Sequence, residues 1–353
     1  MGRKDIWVLV NNEGPCTLND NAQENTVALA KECGLGEEIG IRFYQRISVI
    51  DDIWGDYHKL PMDPTYSSGH TLKVMLPFYK AMGATSLWLY NFAKKSLRVI
   101  PNINTVLASL SKKYNVWMIS TSYDWFIAAF CDQVGFDFTK VYCTKVEKFD
   151  EIPKKDQYTR KFYRILREFM EEVAQMPVIE YNKETGQVIP EHQKYYERIT
   201  KFIWETVYNM PVGEFLRTVH PIGQTQKREA MEEICQKFDV PLEKVMYTGD
   251  SQTDVQCVRY IKGKGLSLMF NGKGKVCYFS DLMYIGEDAR AIEEVADLFA
   301  EAGRLAILNY RSPRSARYGG LLCAVTQENA KELEAQSVKK RKEFRGVQIG
   351  ELT

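Results

Sequence analysis

The chain has 353 residues, enough for one large core or a core with a smaller inserted partner. Its 47 basic and 46 acidic residues leave a formal net charge of +1, so composition offers no broad basic field for gripping a nucleic-acid backbone. No stretch approaches the roughly 20 apolar residues of a membrane helix, and the eight cysteines at 16, 33, 131, 143, 235, 257, 277 and 323 form no CxxC pair. That spacing argues against a zinc knuckle or a disulfide framework and fits a reducing cytoplasm; neither nucleic acid nor membrane is an expected partner.

The N-terminal MGRKDIWVLV has no long apolar leader and no small-residue cleavage pattern, and reads as a first strand, Ile6 to Val10. Short apolar runs ending in small or polar residues recur at Val116 to Ile119 and Val245 to Tyr247, with helical stretches between them. The alternation predicts an α/β fold: a Rossmann-like parallel sheet flanked by helices. Ligands of such sheets lie beyond the carboxyl ends of the strands, here Asn11 to Pro15, Ser120 to Tyr123 and Gly249 to Asp254.

Mainly helical cap insertions are expected to interrupt this core, which would comprise residues 1–15, 97–150 and 215–310. The first, 16–96, is rich in aromatics and is expected to enclose the substrate. The second, 151–214, carries Phe162, Ile165, Leu166, Phe169, Met170 and Val173 at helical spacing, then a matching stripe of Tyr196, Ile199, Phe202, Ile203 and Val207. These predict two helices that pair with each other or cover the core. Residues 311–353 form a C-terminal extension; from about 325 it turns polar, includes Lys339-Lys340-Arg341-Lys342, and reads as a solvated helix and tail. No internal repeat is present, and nothing fixes an oligomeric state.

The strongest chemical signal is Tyr247-Thr248-Gly249-Asp250-Ser251-Gln252-Thr253-Asp254, a strand ending in a glycine turn that delivers two carboxylates four residues apart. Hard oxygen ligands of this kind suit Mg²⁺ with a phosphate group. The four histidines are widely separated and form no helical zinc pair. Gly272-Lys273-Gly274-Lys275 and Gly34-Leu35-Gly36 lack phosphate-loop or dinucleotide spacing and read as surface turns. Cys16 reads as a small buried thiol.

Gly249 to Asp254 resembles the fourth motif of the haloacid dehalogenase (HAD) superfamily, and Leu268-Met269-Phe270-Asn271-Gly272 resembles the stretch that follows it in phosphoserine-phosphatase-like members. Ser120 resembles the second motif's hydroxyl and Lys227 the third motif's lysine, so four pieces stand in the family's order between residue 6 and about 275. Glu13-Gly14-Pro15 with Asn19-Asp20-Asn21-Ala22 is also similar to an archaeal HAD group of the energy-converting-hydrogenase R-subunit type.

The resemblance implies a phosphoryl site in which Ser120 and Lys227 hold the transferring group, Asp250 binds Mg²⁺, and Asp254 orients the metal or Lys227. Glu13 would be the acid/base and an additional metal ligand, while Gly14, Thr121, Arg228 and Asn271 would contact substrate; Thr121 competes with Ser120, and Arg228 with Lys227. Where the family's first motif places its nucleophilic aspartate, this chain has Asn11, an amide that is a far weaker nucleophile and brings no charge to a metal. The expected function is accordingly an Mg²⁺-dependent phosphatase or phosphotransferase acting on a small phosphorylated metabolite, with Asn11 at the nucleophile position. The alternatives are a catalytically silent pseudo-phosphatase that binds a phosphorylated ligand, or a non-hydrolytic enzyme on the same core using Glu13.

Overall fold

The computed structural model describes residues 5–153, 159–309 and 314–346; the end of the expected tail, 347–353, lies outside them. After β1 (Trp7–Val10) come four helices, α1 (Asn21–Glu32), α2 (Glu37–Asp56), α3 (Thr71–Ala81) and α4 (Ser86–Ser96). Next follow α5 (Ile103–Lys113), β2 (Asn115–Tyr123), α6 (Asp124–Val134) and β3 (Val141–Thr144). A second helical excursion holds α7 (Thr159–Gln175), α8 (Pro190–Lys201) and α9 (Glu214–Thr218). The chain then runs through α10 (Gln224–Lys237), β4 (Val245–Gly249), α11 (Val255–Ile261), β5 (Leu266–Phe270), α12 (Lys275–Phe279) and β6 (Leu282–Ile285). It closes with α13 (Arg290–Leu308), β7 (Arg314–Ser315), β8 (Leu321–Ala324) and α14 (Ala330–Arg345).

The eight strands form one sheet in the order β3-β2-β1-β4-β5-β6-β8-β7. The first six run parallel, and β8 and β7 close the edge antiparallel. The fold is the Rossmann-like α/β architecture expected from the alternation of apolar runs. The central strands Val8–Val10, Val245–Gly249 and Leu266–Phe270 are buried on both faces, as parallel strands covered by helices are. After β3 the chain returns to the far side of β1 to lay down β4, so the strand order reverses at β1. That switch point opens a crevice at the carboxyl ends of β1, β2 and β4.

The amphipathic stripe of α7 packs chiefly on α2 and α3, elements of the first insertion, and not only on the helix that follows it. Contact with the following segment is nevertheless close, because Phe169 stacks on Phe202 with ring centroids 3.6 Å apart and Arg198 pairs with Glu172. Helix α8 passes at Phe202–Thr206 into a π-helical turn, which re-aims Phe202, Ile203 and Trp204 into the core. Phe169 is 2% exposed. Phe169→Ala is expected to destabilise the protein by about 3 kcal/mol, the usual cost of emptying a buried phenyl site, measured as a shift in the urea unfolding midpoint.

Candidate functional site

The crevice holds a cavity of about 120 Å³, lined by residues from the ends of β1, β2 and β4 and roofed by α1, α2 and the start of α3. The roof, from the segment between β1 and β2, includes Asp20, Tyr44, Asp51 and Asp52. An outer cleft shares Asp52, Gln252 and Lys273 with this cavity, and there the second insertion contributes Tyr181 and Lys183.

Beyond β4, Asp250 is 3% exposed and Asp254 is fully buried. Asp254 spends both oxygens within the protein. One accepts from Lys227 Nζ at 2.7 Å and from the Tyr247 hydroxyl at 2.5 Å; the other accepts from the backbone N–H groups of Asp250 and Ser251 at 2.8 and 3.0 Å. Burial by itself would raise this carboxyl's pKa, but the Lys227 charge and these bonds hold it below the ordinary value. Of the two roles expected for Asp254, orienting Lys227 is the one its bonds perform. As a metal ligand it has no oxygen to give.

Lys227 is fully buried, lines the cavity and also donates to Thr253 at 3.0 Å. Arg228 points elsewhere, to Glu232 at 2.5 Å and Gln256 at 3.2 Å on the helical surface, and is not a cavity residue. Of the two, Lys227 is the one that lines the cavity. At the end of β2 the two hydroxyls also differ. Ser120 turns inward to donate to Ser122 at 3.0 Å, whereas Thr121 lines the cavity with its Oγ1 buried and without a hydrogen-bond partner. A buried hydroxyl lacking a partner is a donor available to a ligand. Thr121, rather than Ser120, therefore presents the second strand's hydroxyl.

Asn271 adopts a positive φ of 49° and uses its side chain to bracket Gly286, donating to its carbonyl at 2.7 Å and accepting its N–H at 3.0 Å. That is a structural clamp on the turn after β6, and the side chain does not contact the cavity as expected. Gly14 has a φ of +100°, and a Cβ there would lie 2.1 Å from Asp250 Cγ. Its role is to let the loop after β1 approach Asp250.

Asn11 and Glu13 follow β1 into the cavity. The Asn11 amide nitrogen donates both to the Glu13 carbonyl at 2.9 Å and to Asp250 Oδ1 at 3.2 Å. The Glu13 carboxyl accepts from Ser122 at 2.8 Å and from the Asn21 side chain. Desolvation, reinforced by nearby Asp20, pushes its pKa up to about 8, so it holds a proton at neutral pH. Burial likewise raises Asp20 and takes Asp51 to about 6. Cys16 donates to the Asn11 carbonyl at 3.3 Å, and burial pushes its thiol up, as suits a packed thiol rather than a nucleophile.

Three contributors to the site were not anticipated: Lys273, Arg341 and Arg345. Lys273, assigned to a surface turn, lines the cavity, where burial and the neighbouring arginines hold its pKa well below the ordinary lysine value. Helix α14 is no solvated tail. Arg341 Nη1 lies 2.6 Å from Asp250 Oδ2, and Arg345 Nη1 lies 3.5 Å from the same oxygen. The signal available was Ser337, Arg341 and Arg345 at intervals of four on one helical face, but their polarity made that face read as exposed.

These bonds decide whether a divalent metal of the expected kind fits. The acceptors that could converge on such an ion are the Glu13 carbonyl and both Asp250 oxygens, and each is taken by an N–H donor, from Asn11 or from the arginines. The Glu13 carboxyl accepts from Ser122 and Asn21, and the Asn11 side chain is a neutral amide. Among the described residues no three His, Cys, Asp or Glu side chains form a metal-holding group. The residues present do not fit the Mg²⁺ ion assigned to Asp250, Asp254 and Glu13.

In comparisons with known proteins, a model of the PRD domain of the M protein trans-acting positive regulator (MGA) matches residues 85–211. That span contains β2 and β3, two strands of the sheet, and leaves out β1 and the strands from β4 onward. No curated protein matches the chain. Gene product AF1437 from Archaeoglobus fulgidus superposes with a TM-score of 0.77 at 21% identity, covering 98% of each chain, and shares the overall fold. Looser likenesses include an apo phosphoserine phosphatase, at 14% identity, TM-score 0.44, and 82% and 98% coverage of this and that chain. A probable phosphoserine phosphatase from Vibrio cholerae gives 12% identity, TM-score 0.40, and 96% and 66% coverage. No helix among the described residues is long and apolar enough to cross a membrane, and all eight cysteines are free.

A group whose pKa is higher in the folded than in the unfolded state takes up a proton on folding. Stability therefore falls as pH rises between the two values. For Glu13 the window runs from its ordinary value near 4.5 to about 8. Glu13→Gln is expected to lose less melting temperature than the native protein between pH 5 and pH 8, as calorimetric scans at the two pH values would record.

Proposed function

We propose that this protein has a HAD-like phosphate site and uses it to hold a small phosphorylated ligand in the cytoplasm without passing the phosphoryl group through an aspartyl intermediate. The observation that carries this reading is the Asn11 side chain. At the nucleophile position stands an amide whose nitrogen is committed to Glu13 and Asp250, so that position offers no carboxylate to attack phosphorus. The motif order along the chain and the position of Lys227 and Thr121 in the switch-point crevice support the phosphate assignment.

In this site Thr121 Oγ1 donates to a phosphate oxygen, Lys227 supplies charge from its fixed place on Asp254, and the protonated Glu13 can donate a further hydrogen bond. Positioning and charge neutralisation of this kind serve a phosphoryl group whether or not it is later transferred. The non-phosphate part of the ligand would extend into the outer cleft past Tyr57 and Tyr181. A residual acid/base role for Glu13 is the second reading, supported by its raised pKa.

The test compares phosphate release from a panel of small phosphomonoesters with Mg²⁺ for the native protein, Asn11→Asp and Asp250→Ala, alongside ligand binding by the native protein. All three forms are expected to be silent while the native protein binds. Asn11→Asp would set two carboxylate oxygens about 3.2 Å apart where a hydrogen bond now runs. It should therefore lose about 1 to 3 kcal/mol of stability. Turnover by Asn11→Asp that requires Mg²⁺ and disappears in Asp250→Ala would instead establish a phosphatase site lacking only its nucleophile.

A further inference from the structure

We infer that the Arg341 guanidinium, brought in by the C-terminal helix, is the built-in cation of this site, so that the cavity binds a phosphate group without a divalent metal. The inference rests on the phosphate-binding role proposed above and concerns how the anion's charge is met. Arg341 and Asp250 are each about 3–4% exposed, and Nη1 and Oδ2 are 2.6 Å apart. A metal ion seeking Asp250 would have to displace a group whose charge is permanent at any working pH.

Arg341 is held in place independently of Asp250. Its Nη1 also donates to the Asn271 carbonyl at 2.9 Å. One turn earlier Ser337 donates to the Gly272 carbonyl at 2.6 Å, and one turn later Arg345 donates to the carbonyls of Leu18 and Asn19. Helix α14 is thereby strapped across the ends of β1, β4 and β5, with its arginines fixed against the cavity.

Donors remain for an anion. Arg341 Nε is buried without a hydrogen-bond partner although the side chain lines the cavity, and the Lys273 side chain lines the same cavity. Two arginines face the single Asp250 carboxylate, while Lys227 is matched by Asp254. A guanidinium also meets phosphate oxygens with two parallel N–H donors, a geometry suited to a phosphomonoester or inorganic phosphate.

Inorganic phosphate is the probe, titrated calorimetrically into the full chain in excess EDTA and again in excess Mg²⁺, with Mn²⁺ binding followed separately by electron paramagnetic resonance. The native protein is expected to bind phosphate with the same affinity, within about twofold, in both conditions and to leave Mn²⁺ free. Arg341→Ala should weaken phosphate binding in EDTA by about tenfold or more, and should begin to bind Mn²⁺ because Asp250 is released. Arg341→Lys should recover part of the phosphate affinity. Phosphate binding that requires Mg²⁺, or Mn²⁺ binding by the native protein, overturns the inference and leaves the phosphate-binding role standing. Absence of phosphate binding in both conditions overturns that role as well. The native-protein titrations decide the matter even if Arg341→Ala does not fold.

Discussion

A carboxylate buried at the end of a central strand requires compensation, and the arrangement around Asp250 supplies it from two distant parts of the chain. Left alone, such a group would carry a desolvation penalty of several kcal/mol. Asn11 from the loop after β1 gives one oxygen an amide donor, while Arg341 and Arg345 from α14 give the other a permanent positive charge. Gly14 has no Cβ where one would strike this carboxyl. The close approach of β1's loop, the glycine and the position of the last helix thus follow from one buried charge.

A second buried pair makes the scaffold rigid. Lys227 and Asp254 are both fully buried, and Asp254 also closes its own loop by accepting two backbone N–H groups and the Tyr247 hydroxyl. Removing either partner would strand a charge in the interior, whereas the intact network fixes α10 relative to the loop after β4. Gly249 lets the turn fold tightly, since a Cβ there would lie 2.5 Å from Asp254 Cγ. Lys227 therefore enters the cavity already oriented.

The cavity brings buried acids and buried basic side chains together. Glu13, Asp20 and Asp51 are all raised, chiefly by desolvation, and Glu13 lies in a ring of donors from Ser122 and Asn21. The cavity is small, and the outer cleft beside it is lined by Tyr57 and Tyr181.

The sequence by itself determined the sheet and the loops that matter. Runs such as IWVLV and VWMIS are too short and too apolar to be anything but covered parallel strands, and a switch-point topology places Asn11, Thr121 and Asp250 at one edge. It also singled out Lys227 and Asp254, through the resemblance of their segments to HAD motifs. Tertiary structure decided the partners. Arg341 lies 91 positions from Asp250 in a segment whose composition is that of a solvated helix, and only its packing shows that the charge is spent inward. Thr121 and Ser120 are adjacent hydroxyls whose difference lies in which face of β2 each occupies, and Asn271 serves a turn rather than a ligand because Gly286 lies within its reach. Local spacing fixes which chemistry a residue could offer, whereas the energetics of burying charge depend on neighbours brought together by folding across hundreds of positions, and those neighbours turned an expected metal site into one filled by arginine.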